Sequence, residues 1–345
     1  MAVVKATMRG RRLAGIVPDM KLLNVALRAP PPELLYAGGA DDPRLGALVR
    51  VAALADALAG APAVVLVGAP DDRGVVNGGG RAGAAEGPLE IRRHLYRFTP
   101  GDHGELVRLR VYDVGDIPPE ATVEATHERV EEVIAALLEA GARVVLLGGG
   151  HDLAYASQSA LLARLPEHQR GAVVNVDAHY DVRPLKDGTT ITSGTAFRRL
   201  GERFGARVKL IQLAAQAHLC SAAHRDWLTR RDDLVQPLGE LRASPSRVPG
   251  ALRRALQAAA HAHSVGVSLD LDAVRASEAP GVSAPSPDGL HAQDLLEIAS
   301  AAGEHKNVRV LDVMEVCPRL DVDGRTARLA ALAVWRFCAS VAASG

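Results

Sequence analysis

Three apolar segments of this sequence each end in side chains whose types are those of metal ligands. The endings are Asp-Ala-His-Tyr-Asp at 177–181, Gly-Gly-Gly-His-Asp at 148–152 and Asp-Leu-Asp at 270–272. A buried strand normally stops before it meets charge, because an unpaired buried carboxylate is costly. Alternate side chains of an extended segment project to one side, so Asp177, His179 and Asp181 can face a common point. The pattern predicts one metal site at one edge of a sheet.

The donor set indicates which metal this site would hold. The six candidate ligands are His151, Asp177, His179, Asp181, Asp270 and Asp272. Four carboxylates with two imidazoles form a hard, oxygen-rich set, which suits Mn²⁺ better than a tetrahedral structural Zn²⁺. Four carboxylates also exceed the charge that one divalent ion neutralises. Two ions about 3.5–4 Å apart are therefore expected, and such a pair lowers the pKa of a bridging water to give hydroxide.

Each of the three motifs alone has a structural alternative. An Asp that follows glycines is often a helix cap, and a strand end with alternating charges can be a salt-bridged surface. The Asp-Leu-Asp motif is weak alone. Their occurrence together, each after a strand-length run, favours the metal site.

The elements that would position these residues alternate along the chain. Strand-length aliphatic runs lie at 63–68, 107–113, 142–147, 172–177, 207–213, 264–270 and 308–314. Helical spacing of apolar residues is clearest at 124–141, 251–261 and 292–302. Strands that alternate with helices imply crossover connections, and these predict a mainly parallel sheet covered on both faces. No linker divides the chain, so we expect one domain over 1–345, with an irregular, Pro-rich and Gly-rich segment at 1–50.

Composition narrows the class of partner. Lys and Arg together number 40, equal to Asp and Glu together, so no net field favours nucleic acid or a membrane surface. We expect a small-molecule substrate. The three cysteines, Cys220, Cys317 and Cys338, are too few and too scattered for a disulfide framework. No signal peptide and no apolar run of bilayer-spanning length is evident, which favours the cytoplasm.

These motifs resemble those of the ureohydrolase family, which includes arginase, agmatinase and formimidoylglutamase. The family pattern is Gly-Gly-x-His, Asp-Ala-His-x-Asp, Ser-x-Asp-x-Asp and a later Glu, which here match 148–151, 177–181, 268–272 and Glu315. The resemblance extends at least over 65–335. It implies an arginase-like three-layer α/β/α fold, two Mn²⁺ ions in each subunit and assembly into a homo-oligomer.

The resemblance also implies a role for each ligand. His151, Asp177, Asp181 and Asp270 would hold one manganese, and Asp177, His179, Asp270 and Asp272 would hold the other. Asp181 would contact the bridging hydroxide and handle the proton. Glu315 would bind the amidine-type nitrogens of the substrate.

Other segments resemble the formimidoylglutamase branch of this family. They are 77–81, 175–183, 192–197, 279–287 and 323–330. That likeness implies hydrolysis of N-formimidoyl-L-glutamate to L-glutamate and formamide. Two departures from arginase agree with it. Phe197 stands where arginase has a proton-shuttling His, and the segment 211–220 supplies Gln212 and Gln216 but no acid to recognise a substrate amine.

Several polar residues near these motifs have two readings. Arg183, two residues beyond a ligand, could fork onto a substrate carboxylate or lie in a surface ion pair; position and resemblance favour the binding role. Ser193 and Thr195 could donate hydrogen bonds to substrate or stabilise a Gly-containing turn. Arg81 could line the substrate site or support a loop. The remaining histidines, His224 among them, are interpreted as surface or structural residues.

Two rival functions stay open from the sequence. The first is another amidine or guanidine hydrolase of the same family, such as an agmatinase, a guanidino-acid hydrolase or an arginase-like enzyme. The second is a catalytically silent binding protein that keeps the fold. An intact set of six ligands speaks against the second.

Overall fold

The computed structural model describes residues 26–243, 249–259 and 261–344. Within these ranges one sheet of nine strands forms the centre of the molecule. The strands are β1 (Arg50–Val51), β2 (Val64–Ala69), β3 (Val111–Asp116), β4 (Arg143–Gly148), β5 (Gly171–Val176), β6 (Val208–Leu213), β7 (Leu234–Gln236), β8 (Ser264–Asp270) and β9 (Val308–Met314). Their order across the sheet is β1-β3-β2-β4-β9-β8-β5-β6-β7, and every pairing is parallel.

Helices cover both faces of this sheet. They are α1 (Leu54–Ala59), α2 (Arg73–Asn77), α3 (Gly87–Leu95), α4 (Val123–Glu139), α5 (Ala154–Ala163), α6 (Ala196–Phe204), α7 (Ala222–Arg230), α8 (Leu238–Ala243), α9 (Pro249–Ala258), α10 (Ala292–Glu304) and α11 (Arg325–Ser344). Alternate strand residues enter opposite cores, as the period of two in a strand requires. Val145 and Leu147 pack with α3, α9, α10 and α11, whereas Val144 and Leu146 pack with α1, α4, α5 and α6. The predicted three-layer α/β/α architecture is confirmed.

The predicted strands are found with one marked shift. The strand expected at 107–113 begins at Val111, because residues 106–109 form a turn in which the Leu109 amide donates to the Leu106 carbonyl. Val107 is consequently 56% exposed. The strands β1 and β7 were missed, since two and three residues are too short to show a pattern.

The ends of the predicted segments also differ in places. The helix expected at 251–261 begins at Pro249 and ends at Ala258. Of the segment 1–50, residues 1–25 lie outside the described residues, and 26–50 hold two short 3-10 helices at Pro32–Leu34 and Leu45–Ala47. The three cysteines are free thiols.

The expectation of no bilayer-length apolar run needs one qualification. Among the described helices, α11 is long and apolar enough to span a membrane by length and composition alone, and 56% of that window is buried inside the protein. Val334 and Phe337 on α11 are buried in the core it shares with α10 and α3. A buried core helix commonly meets this criterion, so the finding is weak evidence for a membrane span.

Candidate metal centre and active site

The predicted metal ligands and Glu315 follow four strands that lie side by side. In the sheet these strands run β4, β9, β8, β5. His151 follows β4, Glu315 follows β9, Asp270 ends β8 and Asp177 follows β5. Because all four strands are parallel, their carboxyl ends meet at one edge, which is where ligands bind in such sheets. The fold therefore brings residues that are far apart in sequence together at the carboxyl edge of the sheet.

The first group of ligands surrounds the His151 imidazole. Its Nδ1 atom lies 3.0 Å from Asp181 Oδ2, 3.0 Å from Asp270 Oδ2 and 3.3 Å from Asp177 Oδ2. The candidate ligand atoms of these four residues all lie within 4.8 Å of one another. His151 is buried, and so are Asp177 and Asp270.

The second group of ligands lies beside the first and shares one carboxylate with it. His179 Nδ1 is 3.3 Å from Asp177 Oδ1 and 3.2 Å from Asp272 Oδ2. The ligand atoms of these three residues also lie within 4.8 Å of one another. Asp177 thus presents one oxygen to each group. Asp270 belongs to the first group only, so its bridging role stays a prediction.

The residues of this site fit a pair of divalent cations. His151 Nδ1 and Asp272 Oδ1 are buried without a hydrogen bond of acceptable geometry among the described residues. Burial and the neighbouring carboxylates Asp272 and Asp177 raise the pKa of Asp270, and burial and Asp177 raise the pKa of Asp272 to about 6. Although burial opposes the shift, the surrounding carboxylates raise the pKa of His151. Without metal ions, the carboxylates and imidazoles of this cluster would hold protons. Divalent ions would displace these protons and neutralise the charge of the carboxylates.

The glycines before His151 bring its loop close to a neighbouring turn. A Cβ on Gly149 would lie 2.1 Å from the Asp71 carbonyl oxygen, so only glycine fits there. The Gly150 amide donates to the same oxygen at 2.9 Å. The His151 amide then donates to Glu315 Oε1 at 2.8 Å. The triple glycine therefore fixes both the ligand and Glu315.

Polar residues beneath the ligands orient their side chains. His151 Nε2 lies 3.0 Å from Ser268 Oγ; donation from Nε2 leaves the Nδ1 lone pair facing the carboxylates. Asn175 Nδ2 donates to Asp177 Oδ2 at 3.1 Å and to Gln212 Oε1 at 2.9 Å. Sequence reasoning did not assign Asn175 a role, although a polar side chain within a buried strand was a usable signal.

Two residues of the site hold unusual backbone conformations. Asp181 has φ of 49° and Glu315 has φ of 65°, in the left-handed region that non-glycine residues rarely adopt. The Glu315 amide donates to Gly149 O at 2.9 Å, and the Asp181 carbonyl accepts from the Phe197 amide at 3.1 Å. Such conformations cost roughly 1–3 kcal/mol each and concentrate at functional sites. They point both carboxylates into the same space.

A cavity of about 300 Å³ opens onto these ligands. Arg183 and Ser193 line it, together with the predicted ligands His179, Asp181, Asp270 and Asp272 and with Glu315. The Arg183 guanidinium makes no hydrogen bond or ion pair within the described part of the chain. Thr195 is different. It is fully buried outside this lining, and its hydroxyl donates to Thr192 O at 2.7 Å, which is the turn-stabilising alternative.

The loop 279–289 forms one wall of this cavity through Ser283 and Ala284. Arg81 lines the cavity and also holds that loop, because its Nε donates to Ser283 O and its Nη2 to Val282 O, both at 2.9 Å. Gln216 holds the loop from the other side, with its Nε2 donating to Asp288 O at 3.0 Å. Arg81 therefore supports a loop at the rim of the cavity.

Phe197 packs against the metal ligands rather than lining the cavity. It is fully buried, and its ring meets the His151 ring edge to face with 5.3 Å between centroids. A phenyl ring cannot carry protons, so Phe197 packs against the His151 imidazole and takes no part in proton transfer.

A buried carboxyl below the site yields a testable effect on stability. Asp312 Oδ2 accepts from Gln158 Nε2 at 2.6 Å, and burial raises the pKa of Asp312 to about 7. An unfolded Asp titrates near pH 4. Because the folded pKa is the higher one, this group's contribution to stability is full at low pH and is lost as pH rises toward 7. We expect Asp312→Asn to stabilise the metal-free protein by about 2 kcal/mol more at pH 8.5 than at pH 5.

Urea unfolding of chelator-treated protein at both pH values measures this difference. The matched control is Asp226→Asn, which replaces an exposed carboxylate and should change nothing at either pH. An equal effect of Asp312→Asn at the two pH values would show that the carboxyl is not protonated in the folded protein.

Comparison with known proteins places the fold and site in a family. Residues 62–339 match the arginase family. The chain belongs to this family. Formimidoylglutamase of Aromatoleum aromaticum is 36% identical over 301 residues, which cover 81% of this chain and 84% of that protein. Formimidoylglutamase of Ralstonia nicotianae is 34% identical over 313 residues, which cover 89% and 93%.

Solved structures show the same likeness. A structure of Trypanosoma cruzi formiminoglutamase with Mn²⁺₂ matches with a TM-score of 0.78 and 32% identity, over 88% of this chain and 100% of that one. Proclavaminate amidino hydrolase from Streptomyces clavuligerus matches with a TM-score of 0.70 and 26% identity, over 82% of this chain and 93% of that one. The fold is thus shared by enzymes whose names denote different amidine-type substrates.

Proposed function

We propose that this protein is a manganese hydrolase that converts N-formimidoyl-L-glutamate and water to L-glutamate and formamide. The observation that carries the proposal is that the two groups of six intact ligands adjoin a cavity lined by Arg183, whose guanidinium has no partner among the described residues. The relatives named formimidoylglutamase, at 36% and 34% identity over most of their length, support the same reaction.

The proposed manganese site uses the two groups of ligands described above. His151, Asp177, Asp181 and Asp270 would hold one ion, and Asp177, His179 and Asp272 the other. Asp270 would also bind the second ion, as the resemblance to the ureohydrolases implies. A bound pair of Mn²⁺ ions lowers the pKa of water and so provides a hydroxide nucleophile at neutral pH.

The other residues of the cavity position the substrate and its proton. Glu315 lies on the wall with its carboxylate facing the ligands, where it can accept hydrogen bonds from the formimino nitrogens. Arg183 offers a planar fork to a carboxylate. Hydrolysis breaks the bond between the formimino carbon and the glutamate nitrogen, and the departing amine needs a proton. Asp181 faces the same cavity and is the group we assign to deliver it.

The assay that tests this proposal separates it from the guanidine hydrolases. Manganese-loaded protein is given N-formimidoyl-L-glutamate, agmatine and L-arginine in turn, and formamide and urea are measured. We expect formamide from the first substrate and no urea from the others. Urea release at the higher kcat/KM would favour the agmatinase-like or arginase-like alternative.

Arg183 gives a second way to separate the two substrate classes. Arg183→Ala should raise KM for N-formimidoyl-L-glutamate about 30-fold, because a charge-assisted bidentate contact contributes roughly 2 kcal/mol. Arg183→Lys keeps the charge but loses the planar, two-pronged donor, so its KM should lie between those of wild type and Arg183→Ala. Steady-state kinetics of the three proteins measure this. Unchanged KM in Arg183→Ala would remove the carboxylate-binding role.

Metal analysis tests the catalytically silent alternative. Wild-type protein should carry manganese, and His179→Ala should lose it together with turnover. Wild-type protein that neither carries manganese nor turns over substrate would favour a binding protein.

We also propose that residues 1–345 form one catalytic unit that assembles into a homo-oligomer in the cytoplasm. The likeness to the ureohydrolases supports the assembly, and three free thiols suit a reducing compartment. Light scattering after size-exclusion chromatography measures the mass in solution. A mass of one chain would contradict the proposed assembly.

A further inference from the structure

A second, smaller cavity of about 160 Å³ lies beside the cavity of the metal centre. The two cavities share His179, Asp181 and Arg183 in their linings, so Arg183 lies at the boundary between them. The opposite wall of the side cavity comes from the end of the β6–α7 connection and the first turn of α7. It consists of Leu219, Cys220, Ser221 and His224. The side cavity therefore adjoins the metal-centre cavity at His179, Asp181 and Arg183.

Charges of both signs lie around the side cavity, with the cationic groups on the side of His224. Arg183 lines it, and burial together with Arg183 and Arg198 lowers the pKa of His224, with Asp181 acting in the opposite direction. Asp181 is the one acid among the lining residues and is already assigned to the metal ions. The segment 214–224 contributes no acid at all. An anion that enters this space would meet Arg183 and the N–H and O–H donors of the segment 219–224, which adds no carboxylate to Asp181.

Besides Arg183, two donors in the side cavity have no acceptor among the described residues. The Ser221 hydroxyl oxygen caps α7 by accepting from the His224 amide at 3.3 Å, which leaves its hydrogen free to donate. The His224 imidazole makes no side-chain hydrogen bond or ion pair among the residues that the structure describes. Arg198, by contrast, is held by Glu202 at 2.6 Å and by the Trp227 ring. His224 and Ser221 are thus the donors available to a ligand.

The substrate proposed above requires two carboxylate sites at different distances from the metal ions. Its α-carboxylate is attached to the same carbon as the formimino nitrogen, whereas its side-chain carboxylate is two methylene groups further away. Arg183 at the boundary suits the nearer group. A second site next to Arg183 is then needed for the farther one.

We infer that the side cavity binds the side-chain carboxylate of a dicarboxylic substrate, with His224 and Ser221 as its hydrogen-bond donors. This inference rests on the proposed function and names the feature that would select glutamate. A site built to hydrogen-bond a polar group rejects analogues that lack it, because its own donors are then left unpaired. An amidine with a cationic tail would also be repelled by Arg183.

Kinetics with two substrates test this assignment on the manganese-loaded full chain. His224→Ala should raise KM for N-formimidoyl-L-glutamate about tenfold, because a hydrogen bond to a charged group is lost. Its kcat should stay within about twofold, since the metal centre is untouched. KM for N-formimidoyl-L-alanine, which lacks the distal carboxylate, should not change. His224→Gln keeps an N–H donor and should restore part of the affinity.

The chain offers a matched control in His218, which is exposed on the same segment and lines neither cavity. His218→Ala should leave both KM values unchanged. If His224→Ala leaves KM for the glutamate derivative unchanged, or raises both KM values equally, the side cavity does not bind the distal carboxylate.

A binding measurement separates this inference from the proposed reaction. Calorimetry with N-formyl-L-glutamate, which has both carboxylates, and N-formyl-L-alanine, which has only the α-carboxylate, requires no turnover because both compounds lack the formimino group. Tighter binding of the glutamate derivative that depends on His224 supports the site, even if wild-type protein fails to hydrolyse the formimino compound. Hydrolysis without that preference would leave the proposed function intact and overturn the inference.

Discussion

Asp177→Asn is expected to lower kcat by at least about 1,000-fold and to reduce manganese from two ions per chain to one or none. Asp177 presents one carboxylate oxygen to each group of ligands, and its two oxygens are 3.3 Å from His151 and His179. Asparagine keeps the size but loses the charge and one anionic donor. The stabilisation that a metal pair gives to a transition state amounts to several kcal/mol, which sets the size of the loss.

Plasma emission spectrometry and kinetics on the same sample measure both effects. Asp187→Asn is the control, because Asp187 is exposed nearby and has φ of 54°, a conformation that asparagine tolerates. That variant should keep its metal and activity. Asp177→Asn protein that retains two manganese ions and more than a tenth of the wild-type activity would contradict the assignment.

Glu315→Gln should lower kcat/KM about 100-fold without changing the manganese content. Burial and the neighbouring Asp272 raise the pKa of Glu315 to about 8, so its carboxylate gains strongly from a cationic partner such as an amidinium. Glutamine can still accept the hydrogen bond from the His151 amide, so the loop should keep its shape. What is lost is one charge-assisted interaction, and hydrogen bonds to charged groups contribute roughly 1.5–3 kcal/mol.

Metal analysis and circular dichroism separate this effect from misfolding. Glu167→Gln, on an exposed turn, should behave as wild type. A fall in activity that parallels a fall in bound manganese would show that Glu315 supports the metal loop and does not bind substrate.

The strands and helices were predictable because their side-chain patterns are local. The strands β2, β4, β5, β6, β8 and β9 appear in the sequence as aliphatic runs, and each is found within one residue at both ends. The strand β3 was misplaced because Val107 and Leu109 extend the apolar run into a turn. Local pattern cannot reveal that a valine is exposed.

The order of strands in the sheet could not be predicted from the motifs. The ligand-bearing strands follow one another along the chain as β4, β5 and β8, with β9 last, yet β9 and β8 lie between β4 and β5. This order places the strands of Glu315 and Asp270 between those of His151 and Asp177. Which strands become neighbours depends on how whole helices pack on the sheet. The sequence of a single segment does not contain this information.

The residues that hold the ligands in position were harder to predict than the ligands themselves. Motif spacing identifies ligands, because metal chemistry restricts their residue types. The Thr195 hydroxyl bonded to its own turn, the Asn175 amide beneath Asp177 and the left-handed conformation of Glu315 depend on tertiary contacts. The side cavity at His224 arises where two distant segments meet, so His224 looked like any surface histidine in the sequence.

Anomalous diffraction at the manganese edge, from crystals of the manganese-loaded wild-type protein, tests the central claim most directly. The account predicts two peaks per chain, about 3.5–4 Å apart. One should lie among His151, Asp181 and Asp270, and the other between His179 and Asp272, with Asp177 touching both. A single peak, or peaks bound by other residues, would contradict a dinuclear centre built from these six side chains.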